Sequence, residues 1–121
     1  MKIENIKFKA KRLDGKGWVI GDLLHSYENG AIIVPIEGGG AFSVDPSTVC
    51  QFTGLKDCEG NEIWEHDLIH FVRFTDTAEV IWSEGNYAFM VVSENKHSYL
   101  LHYVIKICRI ERIGNKFDKK K

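Results

Sequence analysis

Apolar and polar residues alternate with period two at the start of the chain, where Ile6-Lys7-Phe8-Lys9-Ala10-Lys11 sets Ile6, Phe8 and Ala10 against three lysines. That period predicts a strand with one buried and one wet face. Arg12–Gly17 is a glycine-punctuated turn, and Trp18–Leu24 reads as a second strand paired with the first as a hairpin. Gly21 within it marks a bulge or a close backbone approach. Asn29-Gly30 predicts a type I′ turn, since both residues accept positive φ. Ala31–Val34 is then the returning strand, ended by Pro35. Glu37-Gly38-Gly39-Gly40 is a flexible loop and Ala41–Val44 a short extended piece. Asp45-Pro46 predicts a single helical turn, with Asp45 as cap and Pro46 at the first helical position.

The pattern is densest in Cys50–Phe71, around which the rest is organised. Gln51–Leu55 reads as a strand end. Asp57, Glu59, Gly60 and Asn61 make a tight polar turn in which Gly60 or Asn61 takes positive φ. Ile63 and Trp64 return to apolar surroundings, and Glu65-His66-Asp67 launches a strand over Leu68–Phe74. Thr77–Trp82 and Tyr87–Val92, joined by Ser83–Asn86, complete a three-strand meander. Ser98 either caps one or two helical turns over Tyr99–Tyr103 or opens a further strand; the short apolar run fits both. Ile107–Ile113 alternates as a closing strand, and Lys116–Lys121 reads as a frayed tail.

Several of these blocks, in this order, resemble the YopX family, small proteins found mostly in phages and prophages. The likeness lies in Gln51-Phe52-Thr53-Gly54-Leu55-Lys56-Asp57, Gly60-Asn61-Glu62-Ile63 and Asp67-Leu68-Ile69. It extends to Ile6–Arg12, Gly17-Trp18-Val19 with Gly21–Leu24, and Val44-Asp45-Pro46 with Thr48-Val49. His66 departs from it, standing where the family usually has glycine. The resemblance implies a mainly β, YopX-like fold: N-terminal β-hairpins, a small SH3-like barrel or meander, and at most one or two short helices. It brings no particular activity with it.

Length and charge narrow the classes. A chain of 121 residues suits one domain, 1–121, able to bury a core without staples. Sixteen basic and 17 acidic residues leave a formal charge of −1, so the whole chain exerts no pull on nucleic acid or an anionic membrane. Cys50, Cys58 and Cys108 cannot all pair within one chain, no signal peptide opens the sequence, and no apolar run reaches membrane-spanning length. Reduced thiols in a bacterial host cytoplasm are the expectation.

Candidate chemistry is thin. His66 and His70 are four apart, but along a strand that is roughly 13 Å, too far for one metal ion. The cysteines lack metal-ligand spacing and read as buried or half-buried thiols. Asp57, Glu59, Glu62, Glu65 and Asp67 form an acidic cluster that turn chemistry already explains; Asp67 is expected to accept backbone N–H bonds from the turn. Gly38-Gly39-Gly40 lacks a phosphate-binding pattern. No catalytic, metal or cofactor residue is assigned, and no enzyme is expected.

Two surfaces are candidates for binding. Trp82 and Tyr87 flank the loop Ser83–Asn86 and are the aromatics expected to be exposed; Lys7, Lys9 and Lys11 share one strand face. The leading expectation is a phage or prophage accessory protein acting by protein–protein contact or self-assembly. The alternative is a nucleic-acid-binding module using a barrel face. The N-terminal strands, if left at a sheet edge, would carry a homodimer contact.

Overall fold

The computed structural model describes residues 2–72 and 77–118. The chain divides into two compact units, Met1–Phe52 and Thr53–Lys121. The family-like fold expectation of a mainly β chain holds: among the described residues are eleven strands, one two-turn α-helix and three single 3-10 turns.

In the first unit, a 3-10 turn at Ile3–Asn5 leads into β1 (Phe8–Lys11), β2 (Trp18–His25), β3 (Ala31–Val34) and β4 (Phe42–Val44). A single turn at Pro46–Thr48 then feeds β5 (Cys50–Lys56), whose first residues belong here. The cap reads as expected, with Asp45 accepting the Ser47 N–H. Strand order is β4-β3-β2-β1-β5, all antiparallel where registers are defined. Period-two alternation turns Phe8, Ala10, Val19, Leu23, Ala31, Ile33 and Val44 to one side, where they pack as the unit's core.

Two expectations for this unit are corrected. First, β1 is not at an edge. It pairs with β2 on one side, while its other side meets β5 through Phe8 and Lys9. Beyond that point the same side meets β4, where Asp45 donates to the Lys11 carbonyl and Arg12 bridges Val44. Second, the β2–β3 turn lies one residue earlier than Asn29-Gly30. Glu28 (φ 60) and Asn29 (φ 65) take the positive values and Gly30 is extended at φ −81. A Cβ on Gly30 would meet the Ser26 hydroxyl, which would have to turn aside. Of the two readings for Gly21, the close approach holds: β1–β2 register is regular, and a Cβ on Gly21 would run into the Val34 carbonyl.

The second unit begins with the rest of β5, which pairs with β6 (Glu62–Trp64) across the Asp57–Asn61 turn. β7 (Asp67–Phe71), β8 (Thr77–Ser83), β9 (Ala88–Ser93), β10 (Ser98–Leu100), α1 (Leu101–Ile107) and β11 (Ile110–Asn115) follow. The expected meander is present as β7-β8-β9, and it widens into a five-stranded antiparallel sheet ordered β10-β9-β8-β7-β11. The expected extension of β7 to Phe74 falls outside the described residues. Ile63, Ile69, Val80, Val91, Leu101, Val104 and Ile110 form the buried centre.

Ser98 does not cap the helix. It lies in β10, and α1 starts at Leu101 with Leu100 as an uncapped N-terminal flank. Burial of Leu101 and Val104 anchors the helix in place of a cap. The closing strand starts at Ile110, three residues later than expected, because Ile107 still belongs to α1. The tail is tied down through residue 118. Lys116 donates its backbone N–H to the His66 carbonyl, and Phe117 donates its own to the Asn115 side-chain oxygen.

Candidate functional site

The signature turn is held by two buried aspartates. Asp57 follows β5 and accepts the backbone N–H groups of Glu59 and Asn61 and, from β11, that of Arg112 at 2.7 Å. Burial of Asp57 favours its neutral form, but these hydrogen bonds and the Asn61 amide outweigh it and hold the carboxyl below its ordinary range. Asp67, fully buried, takes the Trp64 N–H at 2.7 Å, as the sequence led us to expect. It also takes the Arg112 Nε at 2.8 Å and the Asn115 side-chain amide at 2.9 Å. Arg112 thus bonds one aspartate through its backbone and the other through its side chain. With every oxygen of both carboxylates accepting at least one hydrogen bond, this is a structural tie.

His66 sits at φ 70, in the left-handed region that glycine enters without strain. That is the physical reason a glycine suits this position. The imidazole Nδ1 lies 2.8 Å from Glu79 Oε2, and the Phe117 ring meets it edge-on at 5.2 Å. His70 is in β7, opposite Glu111 and Thr77. Among the described residues no three His, Cys, Asp or Glu side chains are grouped to hold a metal ion. Cys50 is buried, its thiol directed at the Thr48 carbonyl, and Cys108 is half-buried; Cys58 is exposed, contrary to the expectation for all three, because it rides the outside of the signature turn.

Lys7, Lys9 and Lys11 do share one face, but that face is only partly wet. Lys9 is 6% exposed, its ammonium 4.6 Å from the centre of the Trp18 ring. Lys11 approaches the same ring at 5.1 Å, and Lys7 lies 4.7 Å from the Phe52 ring. Cation–π contact and the apolar lysine stems let these side chains lie down on the sheet. Trp82 and Tyr87 are exposed as expected; the Trp82 indole N–H bonds Glu84 at 2.8 Å and its ring packs edge-on against Phe89.

Sequence reasoning missed the rest of the lysine face. Register sets Lys9 opposite Ile20 and Leu24 opposite Ile32, so the side chains of each pair project on the same side. Ile20, Leu24 and Ile36 are left in the open there, Leu24 at 52% and Ile36 at 62% exposure. Asp22 lies between the first two on the same side of β2, also exposed. A hollow of about 340 Å³ runs between Lys7, Ile20, Pro35, Ile36 and Glu37. The signal was present in β2, which is apolar on both faces: Trp18, Ile20 and Leu24 on one, Val19 and Leu23 on the other.

No helix among the described residues is long and apolar enough to cross a membrane. No curated protein matches the chain. The family model described as YopX protein matches residues 7–120, across the blocks from β1 to the tied-down tail. This chain belongs to the YopX family.

Proposed function

We propose that this chain is a non-enzymatic accessory protein of a phage or prophage, working in the bacterial cytoplasm by protein–protein contact, most simply with a second copy of itself. The observation that carries the reading is the outer face of β2 and β3, where Ile20 and Leu24 stand exposed on a strand paired on both sides and Ile36 is exposed in the turn after β3. Exposed apolar groups grouped on regular strands suit a contact surface, since little order has to be imposed on binding. The face carries Asp22 and Glu37 as well as Lys7 and Lys11, so two copies related by a two-fold axis can set opposite charges against each other. The N-terminal strands thus supply the contact through a face, their edges being already paired. Lysines laid over Trp18 and Phe52 suit this use better than nucleic-acid binding on the same face.

Light scattering at micromolar concentration tests the reading. The expected mass is twice the 13.8 kDa of the chain, falling to that of one chain in Leu24→Glu. A single-chain mass at all concentrations contradicts self-assembly.

A further inference from the structure

In the second unit, a cleft of about 310 Å³ lies beside β9, β10 and α1. Its lining combines apolar Phe71, Val104 and Ile107 with Asn95, His97 and Tyr99. Asn95 and His97 come from the turn after β9, which closes on itself: Ser93 N–H donates to the His97 carbonyl and His97 N–H to the Ser93 hydroxyl. Helical spacing sets Tyr103 one turn before Ile107, and both are exposed, at 53% and 60%.

The charge here is unlike the chain as a whole. From Asn95 to Ile110 there is no Asp or Glu, in a molecule of net charge −1. Lys106 and Arg109 are exposed on this segment, as are His97 and His102. Glu94 and Lys96 border a separate hollow with Leu68 and Val92. Among the described residues no carboxylate lines the cleft.

We propose that this cleft binds single-stranded nucleic acid, with an unpaired base entering beside Tyr99 and the apolar lining of Phe71, Val104 and Ile107. Asn95 and His97 offer donors and acceptors to the base edge. Tyr103 supplies a second stacking surface for a neighbouring base, and Lys106 and Arg109 meet the phosphates. A single strand is favoured over a duplex because exposed tyrosines can stack only on bases that are not already stacked and paired. A two-turn helix is also too short to serve as a major-groove reader.

The test is fluorescence anisotropy of the full chain with labelled 12-nucleotide single strands of DNA and RNA, the matching duplex, and polyglutamate as competitor. At least one single strand should bind more tightly than the duplex and resist polyglutamate. Two cations on phosphate predict a slope of log affinity against log salt of about −1 to −2. Tyr103→Ala and Tyr99→Ala should each weaken binding about tenfold, and Tyr99→Phe should restore most of it, because stacking needs the ring and not the hydroxyl. Lys106→Glu should also weaken it, while Leu24→Glu, on the other unit, should leave it unchanged whatever it does to the oligomer. Equal affinity for duplex, displacement by polyglutamate, or tyrosine variants that bind as well as the parent chain would each overturn the proposal. Circular dichroism of each variant separates lost binding from lost fold.

Discussion

Gly60 sits at φ +85 in the signature turn with open space where a Cβ would go, so a substitution there probes backbone strain alone. Gly60→Val should cost about 1–2 kcal/mol in urea unfolding. An unchanged midpoint would mean that the turn adopts another conformation. This position was legible from its residue types, since Asp57, Gly60 and Asn61 each have a turn role. Lys9 was not legible in the same way. Alternation assigned it to water, but Trp18 lies across the hairpin from Lys11 and its ring covers the lysine stem. Such a contact depends on register, which local sequence does not fix. The Asn29-Gly30 dipeptide fits a type I′ turn, but the positive φ values fall at Glu28 and Asn29, a shift of one residue that nothing in the dipeptide itself encodes.

At the scale of elements, Arg112 joins β11 to the turn after β5 and to the start of β7 through Asp57 and Asp67. Because the folded-state pKa of Asp57 is depressed, its stabilising contribution is present above the unfolded value of about 4 and is lost as pH falls through the folded one. Urea midpoints measured from pH 7 down to pH 3 should therefore decline at the acid end, and the decline should be shallower in Asp57→Asn. Identical profiles for the two proteins would contradict the tie. Removing Asp67 leaves the Arg112 side chain without its buried partner, and Asp67→Ala should cost about 3–5 kcal/mol in the same assay. The role of Asp67 toward Trp64 could be read from the Glu-His-Asp step. Its bonds to Arg112 and Asn115 could not, because 45 and 48 residues separate the partners. The same distance hid the docking of Lys116 and Phe117 against His66, which is why the tail read as frayed.

For the molecule as a whole, hairpins and meander followed from local alternation and turn residues, whereas the β1–β5 pairing joins segments some forty residues apart and left no local mark. That pairing removes β1 from the sheet edge and moves the expected contact from an edge to the outer face of β2 and β3. Family membership across residues 7–120 fits one continuous pattern spread over both units. We propose that this face carries the contact between copies, and hydrogen-exchange mass spectrometry of the full chain at low and high concentration tests it. Added protection at high concentration confined to peptides covering 18–37, and absent in Leu24→Glu, is the result expected. No added protection there, or protection appearing over 98–109 in its place, would contradict it.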